Sequence, residues 1–339
     1  MRITTNAILR GYKSNLASSI SNLNNARNKV MTQRSFNSVA EDPASASREA
    51  SLLRKYAKNK DNLDMLKDMQ SRQDSQEDAL RQVSDILTTI GKTYSLEAMN
   101  ATNQEPNIRQ TYATAIRKYQ ETMVASLNAT YEGTFLFSGT DGTNAPFSLN
   151  TDTNTLEYLG HNVDVSSIAN PIEFKELDDL AKESLYVDMG FGLSMDKSSI
   201  IDSSNAYDMS LPGIRAVGYG KDGSDLSNNA IVLAGELAKL LEDPTFNADE
   251  YKKTLTKFES ISSGVLNQVT QLGVKTEFLT ATKERLDNAS ISIQTQLQNV
   301  SGIDPADAIT SYSWNQYTYE AALKVGTSIL SSSLLDFLN

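Results

Sequence analysis

Residues 251–300 decide the fold, and they read YKKTLTKFESISSGVLNQVTQLGVKTEFLTATKERLDNASISIQTQLQNV. Apolar side chains recur in this stretch at every seventh position: Tyr251, Phe258, Val265, Leu272, Leu279, Leu286, Ile293 and Val300. A spacing of seven keeps residues on one face of an α-helix, and helices that carry such a stripe pack against one another as coiled coils. The stretch therefore predicts a long packed helix.

The first half of the chain carries a second series, with alternating spacings of three and four. It consists of Leu66, Met69, Gln73, Gln76, Leu80, Val83, Leu87, Ile90 and Tyr94. Proline is absent from residues 44–105 and 245–304, so long helices can run there without a break. At about 1.5 Å per residue, a helix of about 60 residues spans roughly 90 Å, which predicts an elongated rod. Its core is expected to contain Leu66, Leu80, Leu87, Val265, Leu272, Leu279, Leu286 and Ile293.

The two glutamines in this series occupy positions where apolar residues belong. Buried polar residues at such positions can set the register between packed helices. Gln73 and Gln76 either have that role or lie on an exposed stretch. The spacing alone does not distinguish the two.

The centre of the chain is rich in turn signals. Ten of the seventeen glycines lie between Gly133 and Gly223, and short strand-like segments such as residues 134–137 lie among them. Residues 131–225 are therefore predicted to be mostly β and loop. The expected fold is mainly α with a β-rich insert (α+β), in which long coiled-coil-like helices flank a central β and loop domain.

A helix-start signal divides the N-terminal part of the chain. Asp42 can accept hydrogen bonds from free helical amides, and Pro43 suits the first helical turn because its missing N–H is not needed there. We expect five segments: a terminal helix (1–40), long helices (41–130), the insert (131–225), further helices (226–304) and a C-terminal helix (305–339).

Both termini carry narrow apolar stripes on otherwise uncharged polar helices. Such stripes bury little surface by themselves, so we expect the two ends to pair and to become ordered only on assembly; two ordinary helices packed on the core are the alternative. The aromatic group around Trp314 is either an interface or a packed helix face. The expected assembly residues are Leu9, Leu16, Leu23, Val30, Ile309, Trp314, Tyr319, Leu323, Leu330, Leu334, Leu335 and Phe337.

Composition argues against several function classes. With 31 basic and 42 acidic residues the chain has a net charge of −11, which disfavours nucleic acid or anionic lipid as a partner. It has no cysteine and one histidine, His161, so thiolate metal sites and triads that need a second histidine are excluded. No apolar run approaches the ~18 residues of a membrane span. We expect no enzyme activity, cofactor or membrane insertion.

Three acidic groups could still indicate chemistry. Asp152 and Asp222 begin segments that faintly resemble calcium loops, but neither has the full loop spacing, so turns are expected. Asp178 and Asp179 could form a carboxylate pair, but neighbours on a helix point apart. We expect both carboxylates to be solvated.

Motifs at both ends resemble a known family. Residues 36–46 contain an acidic-Asp-Pro-Ala signature that opens a long helix, and the C-terminal part has similar motifs at 271–273, 302–309 and 333–338. Together they resemble the flagellin superfamily of bacterial flagellar axial proteins. Within it, residues 132–140 and the Ala145-Pro146-Phe147 segment are similar to the branch whose members join hook and filament.

The resemblance implies a structural role. Such proteins are exported unfolded by the flagellar type III system, without a cleaved signal, and form a ring at the distal end of the hook. The implied partners are other copies of the chain, a neighbouring junction protein, flagellin and an export chaperone, and the implied location is extracellular. Two alternatives remain: a filament-forming flagellin, and an extracellular enzyme or glycan-binding module displayed by the insert.

Overall fold

The chain folds into two compact units. The computed structural model describes residues 2–100, 105–190 and 206–338. The terminal unit comprises Met1–Asp61 and Leu286–Asn339, and the central unit comprises Asn62–Arg285.

Helices dominate the described chain. They are α1 (Arg2–Thr32), α2 (Pro43–Thr89), α3 (Ser95–Met99), α4 (Pro106–Leu127), α5 (Pro171–Ala181), α6 (Gly213–Val217), α7 (Ala230–Glu242), α8 (Ala248–Ser301) and α9 (Pro305–Leu338). A π-helical turn, Ile90–Tyr94, links α2 to α3. The prediction of a mainly α fold with a β-containing centre is confirmed.

Within the described residues, the strands are short and form three small antiparallel sheets. They are β1 (Thr130–Tyr131), β2 (Thr134–Phe135), β3 (Phe147–Asn150), β4 (Thr155–Tyr158), β5 (His161–Asn162), β6 (Tyr186–Asp188) and β7 (Ala206–Asp208). Their orders are β1-β2, β3-β4-β5 and β6-β7. The segment predicted to be mostly β and loop also contains α5 and α6, which its glycine-rich pattern does not reveal. The insert is therefore mixed.

The central unit is built around α7. This helix is apolar on nearly every side, as expected of a helix enclosed by protein, and it packs against α4. Asn229 begins it: its side-chain oxygen accepts from the amides of Ile231 at 2.9 Å and Val232 at 3.1 Å. The sevenfold series of α8 enters the same core through Tyr251, Phe258, Val265 and Leu272.

The residues expected in the helical core are nearly all buried. Leu66, Leu80, Leu87, Val265, Leu272, Leu279 and Leu286 are buried, whereas Ile293 is half-buried. Leu279 lies in a separate small cluster with Met69, Met189 and Tyr207, which fixes the β6–β7 hairpin to the helices.

The two glutamines of the α2 series are buried rather than exposed. Gln73 donates from Nε2 to the Leu272 carbonyl and to the Thr276 hydroxyl, both at 2.9 Å. Gln76 donates to the Leu136 carbonyl at 2.8 Å. The first residue ties α2 to α8 and the second ties α2 to the strand region, so both specify how these elements align.

The β3–β4 hairpin is held by its turn. Asn154 lies in the left-handed region at φ 55° and donates from Nδ2 to the Val232 carbonyl at 3.1 Å. Gln120 of α4 donates to the Asn154 side-chain oxygen at 2.8 Å and to the Ile231 carbonyl at 3.0 Å. Both side chains cross α7 at Gly235, where a Cβ would lie 2.5 Å from Gln120 Nε2. The glycine thus makes room for the turn.

Candidate assembly surface

The terminal unit brings the two ends of the chain together. Helix α1 packs against α9, and the stripe residues of α1 are all half-buried: Leu9, Leu16, Leu23 and Val30. Both ends are therefore helical and paired with each other. That they become ordered only on assembly stays a prediction.

Helices α1 and α9 are in close contact at Tyr12 and Gly326. Gly326 is buried, and the Tyr12 hydroxyl and ring occupy the space that a Cβ on Gly326 would need, with ring atom Cε1 3.0 Å from that position. Any side chain at 326 would push the aromatic ring away. The sequence signal for this contact is a single glycine inside a helical segment, which apolar periodicity does not register.

Large apolar side chains remain exposed on the same two helices. Trp314 is 69% exposed and Tyr317 65%, and their ring centroids lie 6.1 Å apart at 32°. On α1, Met31 is 73% exposed. Further exposed apolar residues are Ile8, Ile20, Ile309, Leu323 and Val325. Exposed apolar surface such as the adjacent Trp314 and Tyr317 rings is typical of a surface that another protein covers.

The expected assembly residues are thus distributed over two environments. Ile309, Trp314 and Leu323 are exposed, whereas Tyr319 is half-buried. The side chains of Leu330, Leu334, Leu335 and Phe337 lie outside the described part of the structure, although their backbone belongs to α9.

Backbone contacts close the corner between α1 and α2. The Ser35 amide donates to the Ser301 carbonyl at 2.8 Å, and the Ile303 amide donates to the Gln33 carbonyl at 3.3 Å. Gln33, directly after α1, has φ 53°, a left-handed conformation that does not continue the helix. The corner therefore binds the N-terminal segment to the junction of α8 and α9.

A salt bridge that the sequence does not reveal supports this corner. Arg34 Nη2 lies 2.6 Å from both carboxylate oxygens of Glu49, whose side chain is only 11% exposed. The Arg34 guanidinium also stacks over the buried Phe36 ring, 5.6 Å from its centroid. Such charge-assisted hydrogen bonds are stronger than neutral ones, so the pair holds Arg34 against α2.

The same dipeptide opens α2 and α9. Asp42 Oδ1 accepts from the Ser45 amide at 3.0 Å, and α2 begins at Pro43. Hydrogen bonds from Ser45 to the Asp42 carboxylate lower its pKa. Asp304 Oδ1 accepts likewise from the Ala306 amide at 2.8 Å, and α9 begins at Pro305. Both helices thus start from a capped Asp-Pro.

The described part of the central unit offers no comparable site around His161. His161 is half-buried, with Nδ1 3.6 Å from Glu176 Oε2, beside an open cavity of about 540 Å³ next to the start of α5. Among the residues that the structure describes, no three His, Cys, Asp or Glu side chains are grouped so that they could hold a metal ion.

The acidic residues singled out from the sequence mainly support local structure. Asp222 Oδ1 accepts from the amides of Ser224 at 2.8 Å and Leu226 at 3.1 Å, which closes a turn. Asp178 accepts from Lys182 and, at 2.7 Å, from the Tyr219 hydroxyl, and its pKa is lowered by these bonds. The neighbouring Asp179 is exposed.

Comparisons with known proteins find a family match for part of the sequence and solved structures that share the fold. Residues 3–142 match the model of the bacterial flagellin N-terminal helical region. No curated protein sequence matches the chain significantly. Within the described residues, no helix has the length and apolar character needed to cross a membrane.

Three solved structures share the fold at low sequence identity. A protein from Vibrio parahaemolyticus described as flagellar hook-associated is 18% identical with a TM-score of 0.59, covering 77% of this chain and 100% of its own. FlgL of Bacillus cereus is 15% identical with a TM-score of 0.52, covering 73% and 99%. FlgL of Xanthomonas campestris is 12% identical with a TM-score of 0.50, covering 73% and 98%.

Proposed function

We propose that this chain, which carries a bacterial flagellin N-terminal helical region at residues 3–142, is a structural subunit of the hook-associated protein 3 type that joins the hook of a bacterial flagellum to its filament. Its role is mechanical rather than enzymatic. The fold it shares with hook-associated and FlgL structures supports this choice within the flagellar proteins.

The observation that carries the proposal is the exposed apolar surface of the paired terminal helices. Trp314, Tyr317 and Met31 are each more than 60% exposed on α1 or α9. Burying such surface against a neighbour is favourable by roughly 25 cal/mol per Å². Copies of the chain and adjacent flagellar proteins can supply that burial, which an isolated chain cannot.

Assembly then completes the folding of the ends. The α1 stripe is only half-buried by α9, so a neighbouring subunit stabilises the helical pair by binding it in its folded form. On this proposal the chain is exported unfolded by the flagellar type III system, with a chaperone, and becomes ordered at the distal end of the hook. It then lies outside the cell in a ring, between another junction protein and flagellin.

A filament-forming flagellin is the second candidate. The family model that matches residues 3–142 is that of the bacterial flagellin N-terminal helical region. This match favours the filament-forming role. The two roles differ in the assembly they produce, because a flagellin extends into long filaments whereas a junction subunit stops at a ring.

The test is deletion of the gene, followed by electron microscopy of the flagella and analysis of the culture medium. We expect hooks without filaments and flagellin released into the medium, with filaments restored by a plasmid copy. Normal hooks and filaments in the deletion strain would contradict the junction role. Filaments that vanish without release of another flagellin into the medium would favour the filament-forming alternative.

A further inference from the structure

Charge is unevenly distributed along this chain. Residues 1–60 contain 11 Lys and Arg but only three Asp and Glu, a net charge of +8. The central unit, Asn62–Arg285, contains 19 basic and 33 acidic residues, a net charge of −14. The change of sign falls within α2, whose residues 43–60 have a net charge of +4 and whose residues 61–89 have a net charge of −4.

The positive charge of α2 is concentrated in residues 54–60, the cationic segment. Its four cations, all exposed, are Arg54, Lys55, Lys58 and Lys60. Within the described parts of the chain, no carboxylate forms an ion pair with any of them. Like charges four residues apart, as in Arg54 and Lys58, destabilise a helix.

The inner face of this segment is fixed to α8. The Tyr56 hydroxyl accepts from Gln294 Nε2 at 2.9 Å. Asn59 is buried and donates from Nδ2 to the Leu286 carbonyl at 2.8 Å. These bonds hold the helix in one rotation about its axis, so the cations are presented to solvent in a defined arrangement.

The central unit carries an exposed segment of the opposite charge on α2. Asp74 and Asp78 are exposed on either side of Glu77. Glu77 is paired with Arg81, whereas among the described residues Asp74 and Asp78 have no cationic partner. Partial burial together with the charges of Glu77 and Asp78 raises the pKa of Asp74.

We propose that the cationic segment of one copy of this chain docks on the acidic segment around Asp74 and Asp78 of a neighbouring copy. The inference rests on the proposed function, which places copies side by side. Because the cationic and the acidic segment are different surfaces, each copy can use its cationic segment on one neighbour and its acidic segment on another. Such a head-to-tail contact repeats around a ring or along a helix, in contrast to a two-fold dimer.

A second copy is the favoured partner because both charged surfaces belong to one chain and occur in equal number wherever copies assemble. Complementary charged surfaces set orientation and speed encounter, and they suppress like-charged alternatives. Salt weakens the attraction between such surfaces, since the distance over which charges are screened falls from about 10 Å at 0.1 M salt to about 3 Å at 1 M. Self-association of this chain should therefore decrease steeply with ionic strength.

The test is charge reversal in the full-length chain. One variant combines Arg54→Glu with Lys58→Glu, and the other combines Asp74→Lys with Asp78→Lys. A matched control, Lys252→Glu with Lys253→Glu, makes the same charge change at exposed positions of α8. Self-association is measured by sedimentation velocity from low salt to about 1 M, and circular dichroism verifies that each variant is folded.

We expect each reversed variant to associate about tenfold more weakly than the natural chain at low salt. The control should associate normally, and an equimolar mixture of the two reversed variants should recover most of the association. Recovery requires the two segments to face each other in different copies. Because the chain has no cysteine, Lys55→Cys combined with Asp74→Cys should also give disulfide-linked multimers.

Several results would overturn the inference. They are normal association of the reversed variants, no recovery on mixing, a natural chain that stays monomeric at millimolar concentration and low salt, and binding to anionic vesicles with no self-association. The junction role is judged separately by the phenotype of the deletion strain. If the deletion strain lacks filaments and the reversed variants restore them fully, the junction role is supported and the proposed contact is wrong.

Discussion

Tyr12 of α1 lies over Gly326 of α9, with its hydroxyl and ring filling the space that a side chain at 326 would need. The contact joins residues from opposite ends of the chain. A glycine at 326 leaves room for the Tyr12 side chain between the two terminal helices.

Gly326→Ala should weaken the helix pair. The added methyl group requires Tyr12 to move, and overpacking of this kind costs typically about 1–3 kcal/mol. The measurement is protease resistance of α1 and α9, together with filament attachment in the deletion strain. Gly273→Ala is the control: nothing lies within 4 Å of its Cβ, so it should stabilise α8 by up to about 1 kcal/mol. Equal effects of both would contradict the packing role of Gly326.

Arg34→Lys should destabilise the corner between α1 and α2. Lysine retains the charge but lacks the planar guanidinium that stacks over Phe36 while its Nη2 lies against both Glu49 oxygens. The Glu49 carboxylate is largely buried. Because Arg34 itself is 44% exposed, we expect a loss of about 1–2 kcal/mol in the free energy of unfolding. Arg54→Lys, at an exposed arginine, should change it by less than about 0.5 kcal/mol. Equal denaturation midpoints for Arg34→Lys and the natural chain would show that the salt bridge does not contribute to stability.

Gly235→Ala should destabilise the central unit. A Cβ there would collide with the side chains of Asn154 and Gln120. The β3–β4 turn must then move away from α7, and its hydrogen bonds to that helix are lost. We expect a loss of about 2–3 kcal/mol, measured by urea denaturation. Gly264→Ala, with open space around its Cβ, is the helical control. A native-like midpoint for Gly235→Ala would mean that the turn adapts freely.

Glu236 should make the stability depend on pH. Burial, together with the charge of Asp164, raises its pKa to about 7, against the opposing charges of Lys221 and Lys239. The pKa of Glu236 is thus higher in the folded than in the unfolded chain. At pH values between these two pKa values, the native chain binds more protons than the unfolded chain. Stability should therefore fall as pH rises from about 4.5 through about 7.

Glu236→Gln removes this dependence. The variant should be more stable than the natural chain by about 1–2 kcal/mol above pH ~8 and about equal below pH ~5, after allowance for solvent at the partly exposed carboxylate. Thermal unfolding at both pH values measures the difference. If Glu236→Gln stabilised the chain equally at both pH values, the effect would come from packing rather than from the carboxylate charge.

Removal of residues 1–35 and 305–339 should leave a folded, helical core. The core retains α7, its contacts with α4 and the α2 to α8 hydrogen bonds of Gln73 and Asn59. Cooperative unfolding should persist, while incorporation into the flagellum is abolished. A truncated chain without a cooperative transition would show that the terminal helices are part of the folding unit.

Periodicity in the sequence was sufficient to predict the long helices and most of their buried face. The sevenfold series of α8 and the alternating series of α2 reflect backbone geometry, which repeats along a helix whatever it packs against. Asp42 and Pro43 could be recognised for the same reason, since a cap depends on residues within one turn.

The remaining features depend on contacts between distant segments. Nothing near Asn154 in sequence indicates that its side chain crosses Gly235, and nothing near Arg34 indicates that its partner is Glu49. Helix α5 was hidden because the glycine-rich neighbourhood favours turns on composition alone. The exposed state of Trp314 likewise follows from where α1 lies, which the α9 sequence does not specify.

The corner between Ser35 and Ser301 has a consequence for the order of folding. Its two residues are 266 positions apart, and Asn59 and its acceptor Leu286 are 227 apart. Contacts of such long sequence separation form late, because a long loop must close before they contribute. A chain that emerges from its N-terminus cannot complete the terminal unit until residues 286–338 are free. For most of that passage α1 has no partner helix, so the time of emergence governs when the unit closes.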